Sequence, residues 1–558
     1  MTSKTLSRNQ IVNLIADGKA IVIYKNHVLN LTAWLSRHPG GEKAVYHMIG
    51  RDATDEMNAY HSLESIKDFT KWKIGSIDYR WENLLPPIQG AVYTKRPEPT
   101  KNKDTEDVIT TSEELAQATS SSDNSINEIE YKGIGFPKVA VLPVVPQNEL
   151  VTDTNKDILF PIKANSIIRD PKELMERYDN KLAQDDLKDI PPLDHETQET
   201  LRQKYNLLHN QIKDLGFYEC NLWDYGRELI KIGSLFLYSF SFLKLNYLFL
   251  SAVFMGLAWH QMTFIAHDAG HVSITHNYQL DNLFGMLIAD WFGGLSLGWW
   301  KRNHNVHHLI TNDPVHDPDI QHLPFFAVST RLFNSVYSTY YERLVAFDAV
   351  AKITIPIQNF LYYPILGFGR FNLYVLSWTH LLRGDGPKKG KAAWFRYFEL
   401  VGLSFFFFWF FYLVVYRSID GGWNRFNFVL VSHFTTMMVH VQITLSHFAM
   451  STSDLGVSES FVSRQIRTTM DVDCPEWLDF FHGGLQFQAI HHLFPRLPRH
   501  NFRRVQPYVI NFCKDVGIKY SIYGFYEGNS IVIGKLGDIA KQCSIMLEAT
   551  KKYDGDLY

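Results

Sequence analysis

Cysteine is scarce. The four in 558 residues, Cys220, Cys474, Cys513 and Cys543, lie far apart and form no CxxC or CxxCH, which excludes a disulfide-stapled fold and a c-type haem attachment. Charge of one sign is scarce too. The net charge is −3, so no nucleic-acid partner is expected, because a phosphate backbone is neutralised only by a concentrated basic surface. The chain opens MTSKTLSRNQ with no apolar run, and a cleavable signal peptide is not expected. Neither GxGxxG, the dinucleotide fingerprint, nor HExxH, the zinc-hydrolase motif, occurs. Without GxGxxG, no nicotinamide site of its own is expected.

The mean hydropathy of −0.15 is an average over unlike parts. Residues 1–230 carry 28 basic and 35 acidic side chains, whereas 231–558 carry 27 and 23. Residues 1–80 mix short apolar stretches with polar turns and suit a compact α+β domain. Residues 81–165, which include KNKDTEDVITTSEELAQATSSSDNSINEIE, are too polar to offset their ordering entropy and read as a linker. Residues 166–558 form the remainder, helical and polar to about 230 and membrane-like beyond it. Leu245–Ala266 has 22 residues without Lys, Arg, Asp or Glu, enough to cross a bilayer. Four spans are expected, at about 230–243, 245–266, 398–416 and 426–446. The regions 283–300 and 354–378 are broken by Gly, Pro, Asp or Arg and read as interfacial or re-entrant. Arg383, Lys388, Lys389, Lys391 and Arg396 precede the third span, against Arg417 and Arg425 after it. The positive-inside rule places that segment, the N-terminal 230 residues and the tail in the cytosol.

Histidine is the residue the chain has in abundance, 23 in all. His38 opens HPGG, a turn that lets the backbone pass close to a planar ligand, and His61 follows 23 residues later. Two imidazoles would fill both axial positions of one haem iron, an arrangement suited to electron transfer. His27 and His47 match neither role and read as ordinary surface or packing histidines. Nine histidines fall between 260 and 322. His267 and His271 (HDAGH) lie four apart on one helix face, and His304, His307 and His308 (HNVHH) share a face again. Gln488, His491 and His492 (QAIHH) form a third group. Imidazole suits iron, zinc and copper, and this many donors imply two ions. Zinc hydrolysis would leave a haem domain without purpose. A one-electron carrier tethered to a two-metal site suggests oxygen reduction, with iron as the fitting metal and a lipid as the substrate. An oxidant able to remove hydrogen from an unactivated methylene yields a double bond or an alcohol, according to how the chain is positioned.

The first constellation, with VLNLTAWL before HPGG and DATDE after it, resembles cytochrome b5 over residues 8–80, and His38 and His61 match its haem ligands. HDAGH, HNVHH with TNDPVHDPDIQHLP, and QFQAIHHLFPRLPRHNFRR resemble the three boxes of membrane front-end desaturases fused to cytochrome b5. That likeness covers about 215–515, and a glutamine opening the third box marks the subgroup. Within it the chain is most similar to fungal sphingolipid 8-desaturases. The resemblance implies a cytochrome b5-like haem domain followed by a mainly α-helical membrane desaturase domain. Its cofactors would be haem b and two non-haem irons. It implies di-iron ligands at His267, His271, His304, His307, His308, His491 and His492, a further ligand at His447, and Gln488 as an amide ligand acting directly or through water. His482 would orient substrate or support the ligands. Asp317 and Asp319 could orient ligand imidazoles, and His276, His316, His322 and His500 stay unassigned. The implied reaction inserts a trans double bond at carbon 8 of a ceramide long-chain base, with O2 and electrons from NADH through a separate cytochrome b5 reductase, at the endoplasmic-reticulum membrane. A front-end fatty-acyl desaturase, a lipid hydroxylase and a non-catalytic haem-containing membrane receptor are the alternatives.

Overall fold

A computed structural model describes residues 4–84 and 171–555; most of the stretch read as a linker lies outside them. The N-terminal domain starts with helix α1 (Arg8–Ala16), closed by a capping box in which Gln10 N donates to Ser7 and Ser7 N donates to the Gln10 side chain at 3.0 Å. Strands β1 (Ile21–Tyr24) and β2 (His27–Asn30) form a hairpin whose two loop residues, Lys25 and Asn26, both have positive φ. Three short helices follow, α2 (Glu42–Tyr46), α3 (Thr54–Tyr60) and α4 (Leu63–Asp68). Strand β3 (Lys73–Ser76) then pairs antiparallel with β2. The core, including Ile11, Ile21, Val28, Leu29, Ile49 and Ala53, extends to Trp81 and Leu84, and the Trp81 indole donates to Gly50 O at 3.0 Å.

The rest of the described chain is mainly helical. Helix α5 (His195–Asp214) lays Leu201, Tyr205, Leu208 and Ile212 into a core shared with the C-terminal segment around Phe494 and Val505. Helices α6 (Leu222–Lys244) and α7 (Leu248–Gly270) form an antiparallel hairpin. Two buried serines tie it, the Ser239 hydroxyl donating to Ser251 O and the Ser251 hydroxyl to Ser239 O, each at 2.8 Å. Gly256 lets α7 approach Ser432 and Thr435 of the facing helix at a distance no Cβ would permit, a close approach that small residues provide between membrane helices.

Among the described residues three helices are long and apolar enough to cross a membrane: Leu248–Gly270, Gly390–Arg417 and Gly422–Phe448. They contain most of the last three expected spans. The expected first span, about 230–243, lies in the second half of α6, whose first half carries Asp224, Arg227 and Glu228, and α6 is not among those three helices. The regions read as interfacial are helical. Residues 278–292 run as a helix beside α7, and Gln358–Gly367 and Gly369–Arg383 expose Phe360 and Val375.

Helix α8 (Leu297–Leu309) positions the site. Ser296 caps it by accepting from Trp299 N at 3.0 Å. Three further helical pieces complete the surroundings: α9 (Met437–Phe448), which ends the last apolar run, α10 (Phe461–Arg467) and α11 (Gln488–Leu493). The N-terminal domain sits directly on this assembly. Arg302 donates to Glu42 at 2.9 Å, Lys43 pairs with Glu342, and Arg202 of α5 donates to Asp55 at 2.8 Å and Asp52 at 3.2 Å.

Candidate haem and metal centres

Gly41 has φ +86° and turns HPGG back so that His38 Nδ1 donates to Gly41 O at 2.7 Å. His61, at the end of α3, donates through Nδ1 to Met57 O at 3.0 Å. Each imidazole thus keeps Nε2 free. The ring centres stand 6.2 Å apart and are tilted by 43°. A metal–imidazole bond of about 2 Å on each side, plus about 1.1 Å from nitrogen to ring centre, gives roughly that separation, so the pair fits one iron held axially. Burial pushes both imidazoles below their ordinary pKa, His61 to about 3, with His38 adding to the effect. Both are therefore neutral, the form that binds metal.

The three boxes converge although the second and third are separated by 179 residues of chain. The end of α7 brings His267 and His271, α8 brings His304, His307 and His308, α9 brings His447, and α11 brings His491 and His492. His267, His271, His304 and His491 offer ligand atoms within 4.8 Å of one another, and His307, His447 and His492 form a second such set. His308 lies between them. Its ring stacks on His492 at 4.1 Å and stands 4.9 Å from His271, and its Nε2 is 3.0 Å from His304 Nε2. Two nitrogens that far apart, each about 2 Å from one metal, subtend an angle near 90°.

The chemistry of the donors fits two metal ions. His271 Nε2, His308 Nδ1, His447 Nδ1, His491 Nε2 and His492 Nε2 are buried with no hydrogen-bond partner, an expensive condition unless something else takes the lone pair. Burial, and after it the neighbouring imidazoles, holds His271, His308, His491 and His492 well below the usual imidazole range. Carboxylates orient the others. His307 Nδ1 donates to Asp317 at 2.8 Å, and His304 Nδ1 lies 3.5 Å from Asp319. Burial opposes charge on His307, yet Asp317 and Asp319 raise its pKa above the ordinary value. A third group of donors, His304, His307 and Asp319, overlaps both sets.

The other candidates are also placed. Gln488 is buried at the start of α11, one turn ahead of His491 and His492. His482 is buried beside Phe481 and Phe525, outside the two histidine sets. His316 hydrogen-bonds with the Thr339 hydroxyl at 3.1 Å, His322 packs on Phe448, His276 bridges Val272 O and Tyr218 O, and His500 pairs with Glu228 at 2.7 Å. Of the surface and packing readings of His47 the second holds, for it is fully buried between the two domains and bonds Lys43 O and the Thr339 hydroxyl.

Several supporting residues carry no signal in their spacing. Gln465 of α10 accepts from His492 Nδ1 at 2.8 Å and donates to His308 O at 2.7 Å. Asn312 donates to His447 O at 2.9 Å and to Ser451 O and Thr468 O. Arg499 pairs with Asp268 and Glu228, and the Tyr225 hydroxyl donates to Asp268 at 2.6 Å. Asp268 lies between the two histidines of the first box, so this network holds the end of α7.

Comparison with known proteins agrees with this geometry. A model of the fatty acid desaturases matches residues 245–524. The chain belongs to the fatty acid desaturase family. A model of the cytochrome b5-like heme/steroid binding domain matches residues 2–78 of the desaturase. The desaturase is 68% identical to the "Delta 8-(E)-sphingolipid desaturase" of Candida albicans, over 100% of this chain and 99% of that one. It is 58% identical to the protein of that name from Lachancea kluyveri, over 97% and 94%. The "Acyl-lipid (9-3)-desaturase" of Borago officinalis is 37% identical over 52% of this chain and 64% of its own. The desaturase accordingly takes haem and two non-haem irons as its cofactors.

Proposed function

We propose that this desaturase inserts a trans double bond at carbon 8 of the long-chain base of a ceramide or related sphingolipid. Relatives at 49–68% identity over nearly their full length share the name Delta 8-(E)-sphingolipid desaturase, whereas the acyl-lipid desaturase match covers about half the chain. The observation that carries the chemistry is the pair of buried imidazole sets directly beneath a docked haem domain. A redox donor fixed against an oxygen-activating centre has no use in a receptor.

His267, His271, His304 and His491 would hold one iron and His307, His447 and His492 the other, with His308 at their junction and Gln488 as a weaker amide donor. Two irons so held supply oxygen activation and the removal of hydrogen from an unactivated methylene. The protein's own part is to aim the ligands: Asp317 fixes His307, Gln465 fixes His492, and burial takes His271, His307, His447, His491 and His492 out of water. His38 and His61 would hold the haem, to be reduced by an NADH-dependent cytochrome b5 reductase.

The N-terminal domain touches α8, so it lies on the side of the membrane where α7 ends. The chain must then cross once before Leu248. Helix α6 makes that crossing in this reading, because its charged end meets Asp268, Arg499 and His500 beside the histidines and its far end turns at Asn246 into α7. Four crossings result, with the haem domain and histidines in the cytosol, at the endoplasmic-reticulum membrane. The test is the lipid profile of cells lacking the protein. Loss of 8-unsaturated sphingoid bases, restored by re-expression, is expected; unchanged sphingoid bases with altered polyunsaturated acyl chains would overturn the substrate.

A further inference from the structure

Both segments that carry the haem ligands are seated on the desaturase domain. On one side, Asn305 of α8 donates to Gly40 O at 3.2 Å and Arg302 holds Glu42. On the other, Arg202 and Asn206 of α5 hold Asp55 of α3. The end of α3 enters the catalytic domain itself, for Ala59 is 2% exposed and shares an apolar core with Leu493 and Phe494. Tyr60 follows Ala59 and precedes His61. Its ring meets His308 edge-on, with centres 5.9 Å apart and planes at 79°. Its hydroxyl oxygen is buried without a hydrogen-bond partner. A buried, unpaired hydroxyl is a cost, so the ring is what this position uses.

We infer that Tyr60 is the bridge by which an electron leaves the haem for the histidine-bound metal pair. His61 would hold the haem iron and His308 lies at the junction of the two metal sets, so one residue spans the gap. One electron passes. Ferrous haem iron becomes ferric, one metal ion of the pair gains that electron, and Tyr60 is neither oxidised nor deprotonated. A competing path exists through the opposite segment, where Asn305, next to His304, bonds Gly40 beside the His38 ring. It crosses a hydrogen bond to a loop carbonyl, whereas the Tyr60 path is a direct ring contact.

The inference rests on the ligand roles proposed above. The variants are therefore compared at equal haem and iron content, and failure of those roles would show separately, as unchanged haem or iron in the ligand variants. The full-length protein loaded with both is reduced with dithionite, freed of excess reductant and mixed with oxygen and ceramide, and haem reoxidation is followed by its absorbance. Tyr60→Phe is expected to match the parent. Tyr60→Leu is expected to slow reoxidation measurably relative to both the parent and Tyr60→Phe. Asn305→Ala is expected to change it little. Docking is read independently by carbodiimide coupling of Lys43 to Glu342, detected by mass spectrometry, and is expected to persist in Tyr60→Leu. Should the leucine variant not fold, Tyr60→Met also removes the ring. A parent-like rate in Tyr60→Leu, slowing confined to Asn305→Ala, or loss of the Lys43–Glu342 cross-link together with the rate would each overturn the inference.

Discussion

Asp317 accepts a hydrogen bond from His307 Nδ1 at 2.8 Å, and neither residue is open to solvent. Both carboxylate oxygens are also held by backbone: Oδ2, which takes the imidazole, accepts from Asn312 N at 2.7 Å as well, and Oδ1 accepts from Asp319 N at 2.8 Å. Asp317→Asn preserves the shape but removes the negative charge that favours Nδ1–H on His307. Loss of such an orienting partner costs about 10–100-fold in metal affinity. The expected outcome is a protein that folds, keeps its haem absorbance and loses iron to a chelator at correspondingly lower concentration. Unchanged iron retention would show that His307 needs no orienting partner.

His447 and Gln488 differ in how the structure presents them. His447 Nδ1 is buried and unpaired, and its ring stands 4.5 Å from His307 and 4.9 Å from His492. Gln488 is one turn from His491 but offers an amide oxygen, a weaker donor than imidazole to these metals. His447→Ala is therefore expected to lower iron content below that of Gln488→Ala when both are dialysed against the same chelator. Metal analysis on the purified proteins decides it, and the reverse order would make Gln488 the stronger ligand.

The boxes are legible in sequence because helical spacing is local: positions three or four apart share a face wherever the helix goes. The haem pair is legible for a similar reason, since HPGG sets its own turn. What holds the boxes is not legible, because it is tertiary. Gln465 reaches His492 and His308 across 27 and 157 positions, and Arg499 reaches Asp268 across 231. No periodicity encodes such pairs. His47 reads as a packing histidine because its partner Thr339 lies 292 positions away on the other domain. The first span looks like a short apolar run because composition ignores geometry; the charged half of α6 is stabilised by partners on other elements, Glu228 by Arg499 and His500.

Glu459 gives a pH dependence with a definite sign. It is buried, and burial alone would raise its pKa, but Arg467 at 2.8 and 3.0 Å and Arg464 beyond it bring the pKa below the ordinary carboxylate value. A folded-state pKa below the unfolded one means the unfolded chain binds the proton more readily. The contribution is then complete above the unfolded value, about 4.3, and is lost as pH falls through the lower folded value. Thermal unfolding in detergent should show the parent losing stability on acidification through that window. Glu459→Gln should be less stable at neutral pH and flatter below it, and an equally steep acid limb in that variant would assign the effect to other carboxylates.

Arg499 is buried among two carboxylates, Asp268 and Glu228, with the Tyr225 hydroxyl on Asp268 and the guanidinium also donating to Phe264 O at 3.0 Å. Removing the cation alone leaves Asp268 with the Tyr225 hydroxyl and Glu228 with His500 but neither with the guanidinium, and breaking a buried pair in this way costs about 3–5 kcal/mol. Arg499→Met is expected to lower the unfolding temperature sharply and to loosen iron, because Asp268 sits between His267 and His271 at the end of α7. Neutralising the partners as well, with Asp268→Asn and Glu228→Gln, removes the stranded charges while keeping their shapes. That triple variant should recover stability relative to Arg499→Met, since an uncompensated buried charge is the larger part of the cost and the amides carry none. If the triple variant is no more stable than the single one, the network acts through the geometry of its hydrogen bonds and not through charge compensation, and the effect on iron should then follow hydrogen bonding to Asp268 and persist in Tyr225→Phe.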